Sequence, residues 1–487
     1  QIAIMVLGAH YLGRYYPALT IVLRVLSVAV IIYLVNKSGS ATTKITWIIL
    51  VMALPAFGVL LYLFVQLDIG HRYANRRVQE SILSTVQYVP RQTELMARLR
   101  TELPEVHNLA EYTLRSGDYP VYENTAVTYY PMGQDKIGAL IEALQSAEHF
   151  IFLEYFIIEE GDVWGRILKI LEEKVRAGVE VRVLYDGTCT FYRLPYGYPK
   201  RMEVLGIRCK MFAPLRPLVS TYYNNRDHRK IMVIDGQIAF TGGVNLADEY
   251  INKIVRFGYW KDSGVRLDGP GAASLANIFL TFWKAKYPDE DLDAGCDLPA
   301  AVPVETDCLV QPFADTPVDR EAVAKNVYLE LINQAQKRLY ICTPYLILDN
   351  DLLSCLRLAA KRGVDVRIYT PGVPDKPTIY QLTRSYFPHL LRAGVKIYSY
   401  TPGFLHAKTW LVDDRIAAVG TVNLDYRSLY LHFENSVLLY GGAVLDDVRR
   451  DLAEIEKESA AVTLADCRTG FFGTLYSAVL RLVAPLC

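Results

Sequence analysis

Apolar and polar positions follow two regimes along this chain. The first is continuous. From Thr46 to Val65 the run TWIILVMALPAFGVLLYLFV carries no charge over 20 residues. At about 1.5 Å per residue it matches a hydrocarbon core of roughly 30 Å, so one transmembrane helix is expected there. Pro55 and Gly58 are tolerated in such helices, and Trp47 and Tyr62 sit near its ends, where interfacial aromatics belong. Ala18 to Val35 is expected to form a second span despite Arg24. The polar stretch Asn36 to Lys44 would join the two as a hairpin. The chain opens Gln-Ile-Ala-Ile-Met, which reads as trimmed at the front, with residues 1–9 the remnant of a further span. His71, Arg72, Arg76 and Arg77 follow the 46–65 span closely, while the linker holds only Lys37 and Lys44. The excess of cations predicts a cytoplasmic C-terminal part.

The second regime alternates, and it does so twice. HFIFLEYFII, GVEVRVLYDG (Gly178 to Gly187) and GIRCKMF (Gly206 to Phe212) are short β-branched or aromatic runs separated by helical periods. KRLYICTPYLI, GVDVRIYTPG (Gly363 to Gly372) and GVKIYSY (Gly394 to Tyr400) repeat that order. Strands alternating with helices predict an α/β protein of two similar halves, with mixed, largely parallel sheets covered by helices. The expected divisions are a transmembrane region at 1–67, a connector at 68–110, half one at 111–287, a linker rich in Asp, Pro and Ala at 288–307, half two at 308–460, and a helical tail at 461–487. The stretch PLRPLVSTYYNNRD lengthens half one ahead of its reactive motif and is a candidate for substrate contact.

Charge and cysteine narrow the field. Lys+Arg and Asp+Glu both number 52, so no global field gathers nucleic acid. The 8 cysteines form no C-x-x-C pair, which argues against a zinc knuckle or thioredoxin-like site. Their apolar surroundings predict buried free thiols and a reducing compartment. No Walker-type glycine loop is present, so no nucleotide is implied.

One string occurs in both halves: His-x-Lys-x-x-x-x-Asp, as His228, Lys230 and Asp235, and as His406, Lys408 and Asp413. Each copy continues into a small-residue turn and an asparagine, Gly242-Gly243-Val244-Asn245 and Gly420-Thr421-Val422-Asn423. His and Lys two apart on a strand share a face. Two facing copies therefore make one pocket with two imidazoles and two ammoniums. That set suits phosphodiester transfer without a metal or cofactor. The histidines divide nucleophilic and acid–base roles, while the lysines hold the phosphate oxygens. Asn245, Asn423, Gly243 and Thr421 are expected to line the phosphate pocket. For Asp235 and Asp413, each followed by a turn residue, a structural role competes with a chemical one. The isolated histidines, His432 among them, read as surface or core residues. Tyr155 and Tyr345 are further candidates for substrate contact.

The doubled motif resembles that of the phospholipase D superfamily. The resemblance implies a covalent phosphohistidine, with His228 as nucleophile and His406 as general acid and then base; the residues alone leave the reverse open. It also implies a carboxylate downstream that hydrogen-bonds each histidine, and the matching positions are Asp262 in YWKDSGVRL and Glu434 in LHFENSVLL. The hairpin residues Lys44, Trp47, Pro55, Gly58 and Tyr62, the segments GFLHAK and NLDYRSLYLHFE, and the ending FFGTLYSAVLRLVAPLC are similar to bacterial cardiolipin synthases of this type. That resemblance implies a multi-pass enzyme of the bacterial inner membrane. It would join two phosphatidylglycerols into cardiolipin and glycerol, with the lipid bilayer as partner and no nucleic acid. A phospholipid hydrolase, or a synthase using another donor lipid, would share the same residues. The C-terminal helix either packs on the enzyme or lies at the membrane interface.

Overall fold

The computed structural model describes residues 17–37, 41–66, 69–85, 92–213, 225–286, 301–319 and 321–486. The remnant at 1–9, most of the inserted loop and most of the linker between halves lie outside them. The chain forms two units: residues 1–73 with 217–222 and 469–487, and residues 74–216 with 223–468. Both motif-bearing halves belong to the second.

In the first unit, helix α1 (Pro17–Asn36) is followed by α2 (Ala41–Ala53) and α3 (Pro55–Gln66). The single span expected over 46–65 is thus two short helices. Trp47 and Tyr62 would stand about 22 Å apart along one straight helix, yet their rings meet edge-on with centroids 5.2 Å apart. Gly58 backs onto α2 so closely that a Cβ there would lie 2.7 Å from the Val51 Cα. Pro55 is the physical reason. It has no N–H for the Val51 carbonyl and its ring crowds that carbonyl, so the helix ends and the chain doubles back. Among the described residues no helix is long and apolar enough to cross a membrane. This corrects the expectation of two transmembrane spans. The three helices share a small core of Val30, Leu34, Trp47, Val51, Val59 and Tyr62, and leave Ile21, Val25, Met52 and Phe64 exposed. The C-terminal helix Phe471–Val483 buries no side chain. Its Leu482 carbonyl accepts a hydrogen bond from Thr46 Oγ1 of α2 at 2.8 Å.

The expected connector is helical, and Val106, Leu109 and Ala110 of helix Pro104–Gly117 are buried. Half one contributes strands β1 (Ala126–Tyr130), β2 (Phe150–Tyr155), β3 (Glu180–Asp186), β4 (Arg208–Phe212), β5 (Lys230–Ile234), β6 (Ile238–Gly242), β7 (Tyr259–Lys261) and β8 (Gly264–Asp268). Half two contributes β9 (Leu309–Asp315), β10 (Arg338–Cys342), β11 (Asp365–Pro371), β12 (Lys396–Tyr400), β13 (Gly403–Leu405), β14 (Thr409–Val412), β15 (Ile416–Gly420), β16 (Glu434–Tyr440) and β17 (Ser459–Ala461). The sheets run β1-β8-β6-β5-β2-β3-β4 and β17-β12-β11-β10-β14-β15-β16-β9. They are mixed, as expected, but not largely parallel. Only β2-β3-β4 and β10-β11-β12 run parallel within them. Each motif strand turns straight back into its neighbour, β5 into β6 and β14 into β15, and such a hairpin is necessarily antiparallel.

Helices cover both faces of the first sheet. Helix Asp162–Arg176 buries Val163, Trp164, Ile167, Ile170 and Leu171, a stripe at helical spacing. On the other face Phe279 of helix Ala272–Lys286 stacks on Phe152 of β2, centroids 4.7 Å apart. The described residues leave Cys189, Cys209, Cys308 and Cys342 buried and Cys355 and Cys467 partly so, all as free thiols. The halves interlock rather than merely touch. β7 and β13 form a separate parallel pair across them. Ser263 Oγ bonds Thr409 Oγ1 at 2.8 Å, and Asn435 Nδ2 donates to Thr241 Oγ1 at 2.8 Å.

Candidate active site

Both motif histidines sit where one half is stitched to the other. The His406 amide donates to the Lys261 carbonyl at 2.7 Å, and the His228 amide donates to the Phe433 carbonyl at 2.9 Å. In each case the next residue of the opposite half is the carboxylate. His406 Nδ1 lies 2.6 Å from Asp262 Oδ2, and His228 Nδ1 lies 2.9 Å from Glu434 Oε2. The sequence-predicted carboxylates are therefore in place, but exchanged: each holds the histidine of the half it does not belong to. With Nδ1–H donating to a carboxylate, Nε2 keeps its lone pair.

The surroundings set the charges. Burial holds both imidazoles well below their ordinary range. Burial pushes the carboxyls of Glu434 and Asp262 up, yet His228 and His406 beside them pull further down, so both stay ionised. Aromatic rings wall the imidazoles: Phe156 stands 4.9 Å from the His228 ring and Trp260 stands 5.3 Å from the His406 ring. Each lysine ammonium donates to the carbonyl of its own histidine, Lys230 to His228 and Lys408 to His406. Burial lowers Lys408 to about 8. It lowers Lys230 to about 7, with the Lys408 charge adding to the effect. Two buried ammoniums, one depressed further by the charge of the other, are a site prepared for an anion.

The other sequence candidates divide. Asp235 and Asp413 stand at the far ends of β5 and β14, both with φ of 51°. Asp235 accepts from the amides of Glu148, His149 and Phe150 at 2.7–2.9 Å. Asp413 accepts from Gln336, Lys337 and Arg338 at 2.7 Å. Both pin the entry to a central strand, so the structural role prevails over a chemical one. Asn245 is spent on the fold: its Oδ1 accepts from the Ile157 amide at 3.0 Å and its Nδ2 donates to Tyr250 Oη at 2.6 Å. Asn423 is buried and its Oδ1 has no hydrogen-bond partner. Gly243 and Thr421 both stand against the carboxylates. A Cβ on Gly243 would lie 2.0 Å from Asp262 Oδ1, and Thr421 Oγ1 donates to Glu434 Oε2. Tyr155 is fully buried, and Tyr345 donates its hydroxyl to Asp375 Oδ2 at 2.6 Å.

Three side chains escape a reading of the sequence. His432, an ordinary core or surface histidine by its place in the chain, has its ring 5.5 Å from that of His228. Its position two residues before Glu434 is the available signal. Arg229, between the motif residues of half one, is buried against Glu154 Oε1 at 2.5 Å and Asp227 Oδ1 at 2.9 Å. Lys136 is buried without a hydrogen-bond partner, and burial lowers its ammonium to about 8 against the pull of Asp262. Among the described residues, one group of side chains has metal-ligand geometry: His228, His432 and Glu434, with ligand atoms within 4.8 Å of one another.

Comparison with known proteins places the chain in a family. The family described as cardiolipin synthase, PLD-like domain, matches residues 140–256 and 328–455, one segment per half. The phospholipase D-nuclease N-terminal family matches residues 25–66. An uncharacterized protein of Streptococcus mutans serotype c is 47% identical over 94% of this chain and 99% of its own length. The cardiolipin synthase of Alkalihalophilus pseudofirmus is 34% identical, covering 95% of this chain and 92% of the relative. Cardiolipin synthase 2 of Bacillus anthracis is 35% identical, covering 89% and 84%. Among solved structures, phosphatidylserine synthase of Haemophilus influenzae Rd KW20 shares the fold with a TM-score of 0.59 at 16% identity, covering 77% of this chain and 98% of that one. With its family model placed on both halves and relatives aligned nearly end to end, the chain belongs to the cardiolipin synthase family of phospholipase D superfamily enzymes.

Proposed function

We propose that this phospholipid phosphatidyltransferase joins two phosphatidylglycerols into cardiolipin and glycerol through a phosphatidyl-histidine. The observation that carries the reading is the crossed pairing of two imidazoles with two buried carboxylates. It leaves two Nε2 atoms, both on neutral rings, for one pocket that also holds two ammoniums.

In the proposed sequence His228 Nε2 attacks phosphorus of the first phosphatidylglycerol. The P–O bond to its headgroup breaks, and His406 delivers a proton to the departing glycerol oxygen. An incoming phosphodiester anion raises the proton affinity of His406, which the empty pocket depresses, so its Nε2 takes a proton from water before the headgroup leaves. Lys230 and Lys408 hold the non-bridging oxygens as charge grows there. A glycerol hydroxyl of the second phosphatidylglycerol then gives its proton to His406 and attacks phosphorus, which frees His228. One phosphodiester replaces another, so no nucleotide drives the exchange. Glu434 and Asp262 keep each ring in the tautomer that exposes Nε2. The exposed apolar side chains of α1 to α3 and of helix Phe471–Val483 support attachment to the bacterial inner membrane.

The test supplies phosphatidylglycerol as sole lipid to purified protein in liposomes, with chelator and without nucleotide. Cardiolipin and glycerol should appear in equal amounts. His228→Ala and His406→Ala should each lose roughly 10³-fold or more. Phosphatidic acid in place of cardiolipin would make the enzyme a hydrolase. No product from phosphatidylglycerol would point to another donor lipid.

A further inference from the structure

The two halves treat one position differently. Two residues before each carboxylate an aromatic ring packs on the histidine that the carboxylate holds. In half one it is Trp260 against His406, centroids 5.3 Å apart. In half two it is His432 against His228, centroids 5.5 Å apart. A second imidazole thus stands where the equivalent wall is a plain indole.

That imidazole is unsatisfied. Neither ring nitrogen of His432 has a hydrogen-bond partner, and neither does Glu434 Oε1. His432 Nδ1 and Glu434 Oε1 face each other at 3.6 Å, too far for a hydrogen bond. Buried polar atoms are ordinarily paired, so orphans on both sides of one gap call for an occupant. His228 completes the set, with all three ligand atoms within 4.8 Å of one another. Two imidazoles and one carboxylate are a donor set for zinc-class ions. Magnesium and calcium take all-oxygen shells instead. A cavity lined in part by Asp315, Asp319, Glu321 and Tyr430 reaches His432.

We propose that His228, His432 and Glu434 form an inhibitory site for a zinc-class divalent cation. The ion takes one nitrogen from each imidazole and an oxygen from Glu434, at about 2.0–2.2 Å, which requires small side-chain rotations. It thereby removes His228 and its orienting carboxylate together. The inhibitory half of this inference rests on the proposed role of His228; the binding half does not.

The test measures zinc binding directly, by equilibrium dialysis of purified full-length protein against zinc alone, beside phosphatidyl transfer in liposomes. Wild type should bind one zinc reversibly and lose activity as it does, with chelator restoring it. Magnesium and calcium at equal concentration should do neither. His432→Phe, which rebuilds the plain aromatic wall of half one, and His432→Asn should each weaken zinc binding roughly tenfold or more, the scale of losing a supporting ligand partner. Both should keep metal-free activity and escape inhibition. Equal zinc occupancy in wild type and both variants would overturn the proposal, as would occupied wild type with full activity. If no lipid is turned over, the functional reading falls, while dialysis still decides whether the ion binds.

Discussion

In half one the turn after the motif strands places Gly243 against Asp262, with no room for a side chain. In half two the same turn places Thr421 against Glu434, and its hydroxyl donates to the carboxylate. The shorter acid is seated by an absence and the longer one by an added donor. The halves differ again inside the motif. Arg229 is buried in a cluster with Glu154 and Asp227, while its counterpart Ala407 is a small buried residue without charge. Duplication preserved the backbone that presents two imidazoles and let each half find its own way of holding them. Equivalent positions therefore need not be equally sensitive, and the site is symmetric in outline but not in chemistry.

The largest expected difference is in stability. Arg229→Ala would leave Glu154 and Asp227 buried without their cation, a loss of about 3–5 kcal/mol. Denaturant unfolding of variant against wild type measures it. Half two has no such cluster at Ala407, so a loss under about 1 kcal/mol would erase this distinction between the halves.

The two carboxylate seats should part next. Gly243→Ala sets a methyl 2.0 Å from Asp262 Oδ1. The carboxylate must swing away and release His406, and turnover should fall roughly 100-fold. Thr421→Ala removes one hydroxyl donor from Glu434 and should cost about tenfold or less. Equal losses in the two variants, at unchanged thermal stability, would show that glycine and threonine do the same job.

The smallest effect lies in pH dependence. The protonated ammonium is the form that binds phosphate, so lipid capture weakens as pH rises through the lysine pKa. Lys230 lies at about 7 and Lys408 at about 8 in the empty pocket. With chelator present, kcat/KM should fall on the alkaline side over that interval. Arginine stays charged throughout. Lys230→Arg should therefore move the alkaline limb further than Lys408→Arg does. Identical limbs for the two variants would mean that the lysines titrate as one pair.

Much of the second unit is legible in the chain. The repeat of strand, helix and motif marks the central strands of both sheets, and the spacing of His and Lys puts them on one face. The small-residue turns mark the right positions but not their duty, because a glycine that makes room for a carboxylate and a glycine that bares an amide for phosphate look alike in sequence. Asn245 and Asn423 also look alike, yet Tyr250 and the Ile157 amide occupy the first while the second keeps a free Oδ1. Over residues 46–65 apolar length and one proline pull in opposite directions, and length alone predicts a span. Pro55 ends the helix instead, and Trp47 folds onto Tyr62.

By itself the sequence determined that two strands each present an imidazole beside an ammonium, since alternation along a strand is local geometry. The resemblance to the phospholipase D motif, not any periodicity, pointed to Asp262 and Glu434 as the carboxylates. Only the tertiary structure decided which histidine each one holds. That choice depends on β7 pairing with β13, and on Asp227 pairing with Phe433. These contacts join residues of opposite halves, and no periodicity within either half encodes them. The same crossing brings His432 to His228, because a ladder between halves fixes neighbours that the chain keeps far apart.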